Sequence, residues 1–193
     1  MPTADEDRLA ALRDDLIAGR LTAAAGLFDG YGVDPPIVVW NPEPHAVPTP
    51  QLSFLLRYWQ GLQDIAGRVA PDRIDPLQMR PALGHIMLLD VLDGGADYRY
   101  RLYGSEIAQR AGFDMTGKCT SELPTGSLAS RFFIAVYQAV LLRPQPVYTW
   151  HQMPVDITVN TWHRLVLPLH GPDGTVTRLL AGNVGTDFDR SAR

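Results

Sequence analysis

Cysteine and lysine occur once each in 193 residues, as Cys119 and Lys118. One cysteine excludes an intrachain disulfide and a four-cysteine zinc site. Positive charge is scarce too. The net charge is −4 and the pI near 5.7, so there is no basic field to hold a nucleic-acid backbone. No apolar run approaches the ~20 residues of a membrane span. The opening MPTADEDRLA is acidic where a secretory signal is basic and then apolar. A cytoplasmic location is therefore expected, with no nucleic acid and no membrane as partner. His85, His151, His163 and His170 never fall into His-x-x-His or Glu-x-x-His spacing, and the clusters GLFDGYG and DGGAD lack phosphate-loop spacing. No metal site, no cofactor and no catalytic residue is assigned.

What is present is a globular balance of 46% hydrophobic and 20% charged residues. The chain divides into an N-terminal helical extension with a Pro-rich linker (1–50) and one domain (51–189). Leu9, Leu12, Leu16 and Ile17 recur at three- and four-residue steps, which predicts an amphipathic helix from Asp5 to Leu21. Thr3 is its expected N-cap, with Glu6 three residues on. A short helix over Ala23–Phe28 and a short strand at Ile37–Trp40 follow. Four prolines between Asn41 and Pro50 leave room only for a linker or strap. Leu52, Leu55, Leu56, Trp59 and Leu62 then mark one stripe of a helix from Pro50 to Ala66. A short helix is expected near Pro76–Leu83.

Beyond that point the pattern changes. Ile86–Leu92 and Tyr98–Tyr103 read as a hairpin, Glu106–Ala111 as a short helix and Leu128–Leu142 as a long one. Pro146–Met153, Thr161–Leu169 and Thr175–Gly185 read as three strands, the last two joined by HGPDGT. This is an α+β arrangement: a five-stranded antiparallel sheet with a helical crossover. The last strand is apolar on both parities, so both sheet faces should be covered, one by the crossover helices and the other by an N-terminal helix or a partner subunit.

This order resembles the PAS domain, and more narrowly the short bacterial proteins built around one PAS domain. The resemblance spans about Phe54 to Asp187. It is carried by LRYWQGL, by Asp72, Arg73, Asp75 and Pro76, by WHRLVLPLHGPDG, and above all by YRLYG followed by Gly112, Asp114, Thr116 and Gly117. The resemblance implies a sensory or regulatory module, not an enzyme. It would bind a small molecule, a protein partner or both, and signal through association. Photoactive PAS domains carry Gly-x-Asn-Cys-Arg, whereas Gly117-Lys118-Cys119-Thr120 is one residue short and lacks the asparagine. Haem-binding PAS domains place a histidine on the long helix, which has none here. No chromophore is therefore expected.

Alternation places Tyr98, Tyr100 and Leu102 on one strand face and Arg99, Arg101 and Tyr103 on the other. Likewise His163, Leu165, Leu167 and Leu169 oppose Trp162, Arg164 and Val166. One combination surrounds an interior space with Tyr100, Tyr137, Trp150 and His163, with Arg101 at its mouth as partner for a small organic anion. Tyr100 and Arg101 both point inward only if a bulge intervenes. The stripe Leu9, Leu12, Leu16 and Ile17 is the expected homodimer interface, unless that helix folds back on its own sheet. Two rivals remain. One is a cone-shaped α+β isomerase or hydratase using His163 or His151 with Asp156. The other is an adaptor with a filled core and an exposed apolar sheet face.

Overall fold

The computed structural model describes residues 4–123, 127–155 and 158–186, which leaves the expected cap Thr3 and base partner Asp156 outside the described residues. Its helices are α1 (Ala4–Ile17), α2 (Thr22–Asp29), α3 (Pro50–Gly61), α4 (Ser105–Ala111) and α5 (Ser127–Leu142). Its strands are β1 (Ile37–Trp40), β2 (Ile86–Leu92), β3 (Asp97–Tyr103), β4 (Val147–Val155), β5 (Thr158–His170) and β6 (Val176–Thr186). The strands form one antiparallel sheet in the order β1-β4-β5-β6-β2-β3. The five expected strands are β2 to β6. The IVVW run adds a sixth, pairing with β4 through Ile37↔Trp150 to Trp40↔Val147.

The sheet separates two cores, because long stretches of β5 and β6 are apolar on both parities. On one face, Leu165, Leu167, Leu169 and Leu180 pack against Leu52, Leu55, Leu56 and Trp59 of α3. Gly182 makes this possible, since a Cβ there would meet the Leu52 and Leu55 side chains. Trp59 Nε1 donates to the Pro168 carbonyl at 3.0 Å and anchors the helix to β5. The helix ends at Gly61, short of the expected Ala66.

On the other face lies α5, buried nearly all round its circumference, as a helix between two layers must be. The sheet covers one side of it and α1 and α2 cover the other. The second sheet face is covered by α3, a helix ahead of β2–β6 in the chain, while α1 packs on α5 instead. The reason lies in the C-terminus of α1. Trp40 Nε1 donates to the Leu16 carbonyl at 2.9 Å and Arg143 Nη1 to the Ile17 carbonyl at 3.1 Å, with the guanidinium 4.6 Å above the Trp40 ring. Terminal carbonyls of the helix thus find side-chain donors on β1 and just past α5. Phe28 of α2 meets Phe132 of α5 edge to face at 5.0 Å.

Candidate functional site

The glycines of the YRLYG…G-x-D-x-T-G stretch are set by backbone geometry. A Cβ on Gly104 would collide with the Gly84 carbonyl, the same oxygen that accepts from the Glu106 and Ile107 amides at the start of α4. Gly112, at φ +79°, caps α4 in the left-handed region. Asp114 Oδ1 then accepts from the Thr116 amide at 2.7 Å, an Asx turn that also holds its carboxyl below the usual range. Gly117, at φ +83°, turns the chain back so that its amide donates to the Tyr100 carbonyl, while the Tyr100 amide donates to the Lys118 carbonyl. The loop therefore runs beside β3 and sets Phe113 over the inner face of the sheet.

Between this loop, α5 and the sheet lies a cavity of about 220 Å³. From β3 come Tyr100 and Tyr103, from the loop Phe113 and from α5 Leu128, Ala129 and Phe133. Trp162 and Arg164 rise from β5, Asn183 from β6 and Met153 from β4, while Tyr31, just past α2, closes one side. The polar groups stand together. Arg164 and Asn183 are directly opposed across β5 and β6, so both side chains leave the same face. Arg164 is 3% exposed and Asn183 4%. The guanidinium lies 3.5 Å over the Phe133 ring and donates from Nη1 to the Tyr137 hydroxyl at 2.9 Å. Among the described residues no carboxylate pairs with it, and Arg164 Nε and Asn183 Oδ1 have no hydrogen-bond partner.

The tyrosines are held protonated. Burial first, then the neighbouring Tyr137, pushes Tyr100 well above its ordinary value, and burial pushes Tyr103 up to about 12. Both serve as neutral donors and aromatic surface at any physiological pH. His151 lies under Phe132 and Phe133, with ring centroids at 5.4 and 5.6 Å, and its Nδ1 is 3.2 Å from Thr149 Oγ1. Burial, then the charges of Arg164 and His163, depresses its imidazole far below the usual range, so the ring is neutral.

The structure brings together only part of the expected site. Tyr100 lines the cavity and Tyr137 stands behind it, bound to Arg164. Trp150 and His163 do not join them. They oppose each other across β4 and β5 on the α3 face, where His163 Nδ1 lies 2.6 Å from the Tyr148 hydroxyl. Arg101 points outward and pairs with Asp90 at 3.1 Å, so it guards no mouth. Alternation alone sets Arg101 on the face opposite Tyr100, and a bulge follows it. Leu88 pairs with Leu102 but Leu89 with Tyr100, which leaves Arg101 as the extra residue. Parity reverses there, Leu102 turns outward, and Tyr103 joins Tyr100 with ring centroids 5.3 Å apart. Arg164, and not Arg101, is the arginine on the cavity wall. The interface stripe is also spent internally: Leu12 and Leu16 are buried in the chain's own core, with Leu9 and Ile17 packed against it.

A family model described as PAS domain matches residues 48–183. The chain belongs to the PAS-domain family. The match takes in α3, all five strands from β2 onward and every wall residue of the cavity except Tyr31. PAS domains as a class are sensory and regulatory modules. No curated protein matches the chain. Among solved structures, an RNA-binding light-oxygen-voltage receptor is similar at 14% identity and a TM-score of 0.43, over 93% of this chain and 54% of that one. The chain thus spans about half that receptor's length. Among the described residues the cavity wall of this PAS domain contains neither cysteine nor histidine. Cys119 instead bridges Arg99 through its backbone. Among the described residues there is no cluster of metal-ligating side chains, and no helix is long and apolar enough to cross a membrane.

Proposed function

We propose that this PAS domain is a non-enzymatic sensor that admits a small organic molecule to the cavity between β3, β5, β6 and α5, and that it acts in the cytoplasm. One observation carries the reading: a buried arginine, Arg164, lines an aromatic-walled space and keeps its Nε unused by the protein. A core that served stability alone would gain by replacing such a cation with an apolar side chain. Absence of enzymatic activity is supported by the same wall. Among the described residues its titratable groups are tyrosines and one arginine, and there neither His151 nor His163 meets a carboxylate. Output passes through association, with a second copy or a signalling protein. It uses a surface other than Leu9, Leu12, Leu16 and Ile17.

The test is native mass spectrometry of the full chain, beside the cavity-filling variant Ala129→Phe. Wild type is expected to retain or take up a small molecule at one per chain, and the variant to lose it while keeping its circular dichroism. Equal retention by both would place the molecule elsewhere. No retention, together with no thermal shift by any compound tested, would end the sensory-cavity reading.

A further inference from the structure

Among the described residues Arg164 is the only charged side chain on the cavity wall, and no acidic side chain stands beside it there. Its Nη1 is committed to the Tyr137 hydroxyl, and its Nε has no protein partner among the described residues. Asn183 is held directly opposite on the neighbouring strand and keeps its Oδ1 unpaired. Neither side chain reaches solvent to satisfy these atoms. A desolvated guanidinium that lacks a counter-charge is unfavourable by itself and most favourable once a carboxylate arrives.

We propose that the cavity binds a small monocarboxylate with an apolar body, and that Arg164 is its anchor. This rests on the cavity being the sensory site and names the class of molecule it takes. Charge limits the class first. One cation balances one negative charge, and a second carboxylate or a phosphate dianion would sit uncompensated among Phe113, Phe133 and Trp162. Geometry limits it next. The planar Nε edge of arginine matches two carboxylate oxygens side by side, which a ketone or alcohol does not offer. Asn183, whose amide can present either its oxygen or its NH2, supplies the second polar contact. Size limits it last. About 220 Å³ is the space of roughly seven liquid waters, enough for an acid of about ten non-hydrogen atoms. Edge-on Tyr100 and Tyr103 and the face of Phe113, 6.3 Å from Tyr103, suit a flat ring or a short branched chain.

The experiment titrates the full chain with benzoate, phenylacetate and hexanoate, and with the matching primary amides, by calorimetry and thermal shift. At least one acid should bind at one per chain, with its amide weaker by roughly 10- to 100-fold. Arg164→Met should weaken the acid at least about tenfold and leave the amide unchanged. Asn183→Asp keeps the volume but places an internal carboxylate directly opposite Arg164. It should raise the melting temperature and abolish acid binding, which keeps the idea testable if the arginine variant fails to fold. An amide that binds as well as its acid, or variants that leave acid binding intact, overturns the carboxylate assignment while the cavity reading stands. A neutral compound retained by the purified protein does the same. If neither series binds and nothing is retained, both readings fall.

Discussion

Arg164 carries two opposite duties, and stability measurements can separate them. Its charge is buried against Phe133 and Tyr137 alone, so Arg164→Met should not destabilise the fold and is expected to stabilise it by about 1–4 kcal/mol. Urea unfolding of the two proteins checks this, and a loss of more than about 2 kcal/mol would mean that the guanidinium is a structural tie. His151 sets the pH response. Its imidazole is held neutral in the folded chain by burial and by Arg164 and His163, whereas the unfolded chain takes up a proton near pH 6.5. Below that pH the unfolded state binds more protons. Stability is therefore complete above about pH 6.5 and falls as the pH drops, by up to ~1.4 kcal/mol per unit for this proton. His163 and His170, also depressed by burial, act in the same direction. His151→Leu should flatten the curve between pH 7.5 and 5. Equal slopes in the two proteins would show that the other histidines carry the effect.

Among the elements, α1 and α4 depend most on particular contacts. Leu16 is 1% exposed, inside the cluster that holds α1 on α5, so Leu16→Ala should cost about 2–5 kcal/mol. Arg143→Ala removes the donor to the Ile17 carbonyl and the charge above Trp40, at a cost of about 1 kcal/mol. If both changes leave the melting temperature in place, α1 is not docked in solution as described. Gly104→Ala tests the turn into α4. The added methyl meets the backbone of Gly84, which cannot swing away as a side chain would, and a loss of about 1–3 kcal/mol is expected by chemical denaturation. The bulge at Arg101 is an element-scale device with a residue-scale result, since it alone brings Tyr103 to the cavity.

For the molecule as a whole, the N-terminal segment is part of the packing. Removing residues before Asp34 strips α1 and α2 from α5 and takes Tyr31 from the cavity wall. The shortened chain is expected to melt lower and to aggregate through the bared α5 surface, where helix loss leaves apolar area exposed. Light scattering reports both. A shortened chain with unchanged melting temperature and solution mass would show that the segment contributes neither stability nor assembly.

Element types and order were legible in the sequence because local signals set them. Short apolar runs bounded by turn residues marked β2 to β6, the HGPDGT turn marked the last hairpin, and the 3.6-residue stripes marked α1, α3 and α5. The glycine and aspartate positions before Cys119 were legible for the same reason, since left-handed backbone and Asx turns are local demands. Which strand face lines the cavity was not. On β5 both parities are buried, so Trp162 and Arg164 on one side and Leu165 and Leu167 on the other read equally as interior. One unpaired residue at Arg101 then inverted the end of β3, and no pattern in YRYRLY announces it. The partner of the α1 stripe was equally silent, because amphipathicity states that a face must be covered and not by what. Local chain chemistry thus determined the elements and their turns. Only the tertiary contacts decided faces, register and cover, because those depend on atoms far apart in the chain that meet after it folds.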